Sequence, residues 1–219
     1  MQGYFISLEG IDGCGKTTLL SKLKTYFSSR GQALTTLREP GGTVVSEAIR
    51  RLLLDPAHKS MTPSAEALLY AAARAQVRQE IIQPSLERGD IVLADRYIDS
   101  TLAYQGYGRG LALPFLQNLN DLCTAGLKPD LTLLLDLDPE AAARRQSLRE
   151  DKKDRLEQEG LSFQQKIRAG YLSIAREEPE RIVCLSADPP ADEVFARALQ
   201  VIEERLSRRN AETREAGKP

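Results

Sequence analysis

The sequence predicts an α/β fold, a five-stranded parallel sheet flanked by helices on both faces, on three observations. Short apolar runs of β-forming residues recur along the 219-residue chain. A helical pattern or a long loop separates each run from the next, and the first run leads through a glycine-rich turn directly into a helix. Such alternation implies parallel strands joined by right-handed crossovers, with ligands held at the carboxyl ends of the strands.

Tyr4–Glu9 is apolar and reads as the first strand. Lys16–Arg30 has helical apolar spacing and a glycine stop at Gly31, and Ala33–Leu37 is the second strand. Thr43–Leu54 and the long Pro63–Arg88 are helices, the second opened by proline and closed by Gly89. Ile91–Asp95 is the third strand, and the stretch between it and the helix Leu113–Ala125 reads as a loop. Leu131–Leu137 is the fourth strand, succeeded by the proline-started helix Pro139–Glu150 and by the helix Ser162–Glu177. Arg181–Leu185 is the fifth strand and Ala191–Arg208 the closing helix. Residues 1–209 read as a single domain and 210–219 as a polar tail.

Hydrophobic residues make up 42% and charged residues 28%, an ordinary globular balance. A net charge of −1 and a pI near 6.0 exclude a broad positive field for nucleic acid polymer or an anionic membrane, so local clusters must hold any anion. No apolar run approaches the roughly 18 residues needed to cross a bilayer, and the start reads as a strand without a cleavable signal. A cytoplasmic protein is expected. Cys14, Cys123 and Cys184 have neither paired nor zinc-type spacing and are expected to be reduced thiols, and His58, the only histidine, is expected in a loop.

The strongest chemical signal is Gly10-Ile-Asp-Gly-Cys-Gly-Lys16-Thr17, a phosphate-loop pattern between a strand and a helix. Glycines let backbone N–H groups turn around phosphate oxygens, and the helix N-terminus favours negative charge. Lys16 can reach the β and γ phosphates of a nucleoside triphosphate, and Thr17 can ligate Mg²⁺. A chance glycine turn before a helix is the bland alternative. The fold expectation is thereby P-loop NTPase-like.

Asp95 ends an apolar strand at the same sheet edge and suits Mg²⁺ or its water shell, or else caps the next turn. Arg96 beside it offers a donor fork suited to phosphate, or an ion pair to a surface acid. No Asn-Lys-x-Asp motif points to a GTPase and no His-Arg-Asp loop to a protein kinase. A phosphate acceptor, ionised at neutral pH, needs no general base, so positioning and charge neutralisation suffice. The charged run from Arg144 to Arg155 is either a solvated helix end or an arginine-rich lid at about 144–157.

Taken together, the run Leu8 to Thr18, then Arg38-Glu-Pro-Gly-Gly-Thr43, then Asp95-Arg-Tyr with Ser100-Thr-Leu-Ala-Tyr-Gln-Gly106, then Lys128-Pro-Asp-Leu-Thr132 and Asp154-Arg-Leu-Glu157, resembles bacterial thymidylate kinases in order and spacing. The likeness runs from residue 4 to about residue 205. It implies phosphoryl transfer from Mg-ATP to dTMP, with Gly10, Ile11, Asp12, Gly13, Cys14, Gly15, Lys16, Thr17 and Thr18 around ATP. It implies that Asp12 receives the acceptor's 3′-hydroxyl, where the residues alone also allow a surface loop acid. Tyr70 and Arg74, four apart on one helix, are implied to stack on thymine and donate to its carbonyl; periodicity alone favours Tyr70 as core. Ser100, Thr101 and Gln105 are implied to read the pyrimidine edge, with Ser100 also a candidate N-cap, while Tyr104 crowds a ribose 2′ position.

By the same resemblance Arg38 grips the acceptor phosphate beside Arg96, with Glu39 orienting Arg38. Gly13 stands where some members place a loop arginine, so the lid must supply a further cation: Arg149 first, then Arg145, then Arg155. Adenine is expected between Arg144 and the Ala187-Asp-Pro loop. The implied catalytic set is Lys16, Arg96, Arg149 and Asp12, and a homodimer is implied. Cys14, near a helix N-terminus, is either an oxidisable thiol or a small loop residue. A kinase of another nucleoside monophosphate or of a deoxynucleoside, and a non-catalytic nucleotide-binding module, are the rival readings.

Overall fold

A computed structural model describes residues 3–148 and 154–216. The strands β1 (Tyr4–Glu9), β2 (Leu34–Arg38), β3 (Ile91–Asp95), β4 (Leu131–Asp136) and β5 (Ile182–Ser186) form one sheet in the order β2-β3-β1-β4-β5. Every pairing is parallel, as the alternation of apolar runs and helices predicts. The bounds of β1 and β3 are those read from the sequence, β2 and β5 lie one residue later, and β4 ends one residue earlier.

β1 is central and buried along its whole length, so its side chains serve two cores. Phe5 packs with Val77, Ile82, Leu86 and Val92 on one face. Ile6 and Leu8 pack on the other with Leu19, Leu23 and Phe27 of α1 (Lys16–Ser29). Val194, Ala198 and Ile202 of α9 (Ala191–Ala216) belong to this second cluster. That helix runs beyond Arg208, where the apolar spacing ends.

Between these lie α2 (Val44–Leu54), α3 (Pro63–Val77), α4 (Gln83–Glu87), α5 (Ile98–Thr101), α6 (Leu113–Thr124), α7 (Pro139–Ser147) and α8 (Leu161–Glu177). The Thr43 hydroxyl caps α2 by accepting from Ser46 N at 3.2 Å, and the Thr62 hydroxyl caps α3 by accepting from Ala65 N at 3.3 Å. His58 closes a short 3₁₀ turn, Pro56–His58.

Two stretches depart from the sequence reading. The predicted helix Pro63–Arg88 keeps its path, but Arg78–Ile82 widens into a π-helical turn ahead of Pro84, which lacks an N–H. The stretch after β3, read as a loop, is instead α5 continued by a π-helical segment, Leu102–Gly108. Residues 98–106 are buried throughout, so they show no amphipathic period. Ser100 is therefore inside a helix and not its N-cap, a position that Tyr97 occupies.

The register sets Leu8 opposite Asp95 and Arg38 opposite Asp95. The glycine loop, Arg38 and Asp95 thus emerge at one carboxyl edge of the sheet. Among the described residues no helix is long and apolar enough to cross a membrane, and the three cysteines are unpaired.

Candidate active site

The loop after β1 turns on glycines at positive φ. Gly10 has φ 135°, and a Cβ there would lie 2.4 Å from the Leu135 carbonyl oxygen. Gly13 has φ 85°, and a Cβ there would lie 2.7 Å from the Ala142 carbonyl oxygen on α7. Lys16 Nζ folds over this loop, donating to the carbonyls of Gly10 and Ile11 at 3.0 Å each. Ile11 and Cys14 face the core at 2% exposure, which sets a buried thiol against the oxidisable reading of Cys14.

Thr17 lies in the first turn of α1 and Asp95 closes β3. The Thr17 hydroxyl donates to Asp95 Oδ2 at 3.4 Å, bringing two hard oxygen donors together. Among the described residues no group of three or more His, Cys, Asp and Glu forms a metal cage. A pair of oxygens fits an ion such as Mg²⁺, which takes most of its octahedral shell from phosphates and water.

Arg96 comes directly after, with φ 76°, a conformation rare for a residue carrying a side chain. Its strained backbone is held by Arg96 N donating to the Leu8 carbonyl at 3.0 Å. Nη1 donates to the Gly10 carbonyl, Ser100 Oγ and the Tyr171 hydroxyl, at 2.9, 3.3 and 3.1 Å. Nη2 donates to Asp12 Oδ1 at 2.5 Å and to the Tyr104 hydroxyl at 3.0 Å, and that hydroxyl donates to Asp12 Oδ2 at 2.9 Å. Burial pushes the Asp12 carboxyl up, but the charges of Arg96 and Lys16 outweigh it and hold the group below the usual carboxylate range.

Sequence reasoning left Glu9 without a role. It ends β1 fully buried and accepts hydrogen bonds from Tyr97 N, Ser100 Oγ and the Tyr171 hydroxyl at 2.6, 2.6 and 2.8 Å. These are the hydroxyls that receive Arg96, so Glu9 braces Arg96 from behind. Burial, then Asp99, push its carboxyl up. An acid ending an otherwise apolar central strand is the signal that could have found it; Tyr171 gives none, because it comes from α8.

Arg74 is 2% exposed and reaches inward from α3. It donates to Glu39 Oε2 at 2.7 Å, Thr101 Oγ1 at 2.7 Å, Asn120 Oδ1 at 2.9 Å and the Tyr97 carbonyl at 3.0 Å. These contacts use four of the guanidinium's five N–H donors. Glu39 therefore holds Arg74 and does not orient Arg38 as expected. A strand alternates its side chains, and Arg38 turns to solvent instead, 3.6 Å from Glu47. Tyr70, one turn before Arg74, is half-buried: it packs on the core, as periodicity favours, and also lines the cavity.

One cavity of about 620 Å³ collects these groups. Its wall contains all ten residues expected at the acceptor: Asp12, Arg38, Glu39, Tyr70, Arg74, Arg96, Ser100, Thr101, Tyr104 and Gln105. It also contains Gly13, Gly15, Lys16, Thr17, Thr18 and Asp95, but not Gly10, Ile11, Cys14 or Arg144.

The lid expectations fare unevenly. Arg149 lies outside the described residues. Arg155 is buried, with Nη2 2.6 Å from Glu66 Oε2 and Nε donating to the Leu53 carbonyl, which commits it to the wall rather than to a transferred phosphate. Arg145, not Arg144, packs on the loop after β5, donating to the Ala187 carbonyl at 2.9 Å and the Asp188 carbonyl at 3.3 Å. Arg144 is exposed, because one step along a helix turns a side chain by about 100°.

The chain resembles thymidylate kinases along most of its length. The family model described as Thymidylate kinase matches residues 8–198. The chain is 48% identical over 204 residues to the thymidylate kinase of Deinococcus radiodurans, covering 93% of this chain and 98% of that protein. Identity to the thymidylate kinase of Desulforudis audaxviator is 48%, over 94% of each chain. To that of Lactobacillus acidophilus it is 44%, over 94% of this chain and 96% of the relative. Likeness of this extent, over 93% or more of the chain in each of these relatives, places the chain in the thymidylate kinase family.

Proposed function

We propose that this chain transfers the γ-phosphoryl group of ATP to dTMP, giving ADP and dTDP, with Mg²⁺ as the accompanying ion. One observation carries the reading: a phosphate loop and a separate arginine–carboxylate–tyrosine cluster, Arg96, Asp12 and Tyr104, share one cavity. A lone ATP-binding loop has no use for an acid at Asp12, which repels donor phosphates. An acceptor with both a phosphate and a sugar hydroxyl uses Arg96 and Asp12 together.

Lys16 bears on the donor β and γ phosphates, while Arg96 and Arg38 hold the acceptor phosphate. Glu9, through Ser100 and Tyr171, keeps the Arg96 fork aimed. Asp12 accepts the 3′-hydroxyl, and Tyr104 occupies the side of the sugar where a ribose carries its 2′-hydroxyl. No residue has to remove a proton, because the acceptor phosphate is already ionised near neutral pH. Thr17 and Asp95 would hold Mg²⁺, which would supply positive charge against the negative charge that develops during transfer. Arg149 remains the proposed lid cation.

A homodimer is proposed as well. Val44, Leu68, Phe115 and Leu122 stand exposed on α2, α3 and α6, with Val44 at 90% and Leu122 at 80%, apolar surface that a second copy of the chain would cover. Sedimentation velocity at micromolar protein tests this, and a monomer throughout would reject it.

The activity is tested by coupled ADP release with Mg-ATP and dTMP, dUMP, dCMP, AMP or thymidine. Turnover with dTMP, weaker turnover with dUMP and none with thymidine supports the proposal. Turnover only with another acceptor replaces the substrate but keeps the kinase, and no turnover with any acceptor leaves a binding module.

A further inference from the structure

We infer that Glu66 is a positioning residue: it holds the Gln105 amide with its oxygen toward the cavity, and so sets which hydrogen-bonding edge of a pyrimidine the site accepts. The inference rests on the dTMP reading of the cavity and adds a determinant to it.

Glu66, Tyr70 and Arg74 are four apart along α3 and share one helix face. Glu66 is 1% exposed, and Gln105 Nε2 donates to its Oε1 at 2.9 Å. An ionised carboxylate only accepts, so the amide nitrogen of Gln105 has to be the end that faces it. Burial alone pushes the Glu66 carboxyl up, but the hydrogen bonds from Gln105, Arg109 and Arg155 outweigh it and hold the group below its ordinary range. At neutral pH no proton is present on Glu66 to permit the opposite orientation.

The consequence appears on the other side of the amide. Gln105 lines the cavity, and its Oε1 accepts from no described residue. The wall thus offers an acceptor at Gln105, with the Arg74 guanidinium in the same wall. A base with a ring N–H beside a carbonyl, as in thymine and uracil, meets this pair donor to acceptor and acceptor to donor. Cytosine, with a bare ring nitrogen beside an amino group, opposes it at both points. A site built to pair one pattern rejects the other because its buried groups are left unpaired.

The test is Glu66→Gln, which keeps shape and removes charge. Arg155 retains the amide oxygen of the new side chain, its amine then faces Gln105, and Gln105 turns its own amine into the cavity. The expected result is a fall of about tenfold or more in kcat/KM for dTMP and dUMP together, with no fall for dCMP. Arg109→Met removes another partner of Glu66 and leaves Nε2 of Gln105 in place. It is expected to lower the melting temperature while the dTMP to dCMP ratio stays within about twofold of the parent. Should Glu66→Gln not fold, the double substitution Glu66→Met with Arg155→Met removes the buried pair and leaves Arg109 its ion pair with Glu159, and the same fall in ratio is expected. An unchanged dTMP to dCMP ratio in the folded variant, or equal losses for all three nucleotides, overturns the inference. A parent enzyme that does not phosphorylate dTMP overturns instead the function on which it rests.

Discussion

Nη2 of Arg96 lies 2.5 Å from Oδ1 of Asp12, joining the end of β3 to the middle of the glycine loop across 84 positions of sequence. The loop proposed to receive the donor and the arginine proposed to receive the acceptor are therefore one hydrogen-bonded unit, closed by the Tyr104 hydroxyl.

Breaking that unit without changing its shape is the purpose of Asp12→Asn. Loss of a charge-assisted hydrogen bond costs about 1.5–3 kcal/mol, so kcat/KM for dTMP is expected to fall roughly 10- to 100-fold. Steady-state kinetics at saturating ATP, with circular dichroism to confirm the fold, decides it. Undiminished kcat/KM would remove Asp12 from the acceptor site.

Asp95→Asn addresses the ion. With Thr17 Oγ1 3.4 Å from Asp95 Oδ2, removal of the carboxylate charge leaves one neutral oxygen and an amide. The Mg²⁺ concentration for half-maximal rate is expected to rise about tenfold or more. A Mg²⁺ titration indistinguishable from the parent's would place the ion elsewhere.

Gly13→Ala tests the contact between the loop and α7. The added Cβ meets the Ala142 carbonyl oxygen at 2.7 Å with φ at 85°. Strain and overpacking are expected to cost about 1–3 kcal/mol, read as a lower urea midpoint, together with a higher KM for ATP. An unshifted midpoint would show that α7 yields without cost.

Stability should carry a pH signature from Glu39. Its carboxyl is buried beside Arg74, and Oε1 has no hydrogen-bond partner among the described residues. Burial pushes it up to about 7 against the pull of the Arg74 guanidinium. The folded chain then keeps a proton that the unfolded chain has lost. This contribution is fully present below an unfolded value of about 4.5 and is lost as pH rises through about 7. Relative to Glu39→Gln, the parent is expected to lose stability between pH 5 and 8, on the order of 3 kcal/mol. Urea midpoints at both pH values provide the comparison, and parallel profiles for the two proteins would contradict it.

Much of this site is legible before folding. The glycine loop, Asp95 and Arg96 announce themselves because a strand that ends in a turn or a carboxylate leaves a local mark. Tyr70 and Arg74 are legible as a pair by helical spacing, but their partners are not. Glu39 is read as a companion of Arg38, its chain neighbour, and the structure gives it to Arg74, 35 positions away. Arg155 is read as a lid cation by its charged surroundings, and the structure buries it against Glu66. The stretch 98–106 conceals its helix because burial on all sides erases the apolar period.

What the sequence determines by itself is therefore local and periodic: five strands, most helices, the phosphate loop, and the edge of the sheet where chemistry gathers. Those features arise from backbone sterics and from the spacing of apolar residues, which each segment carries with it. Only the tertiary structure decides which charge faces which: Arg96 with Asp12, Glu39 with Arg74, Glu66 with Gln105 and Arg155. Such pairings depend on segments remote in the chain sharing one buried volume, where a charge is tolerated only if another segment brings it a partner.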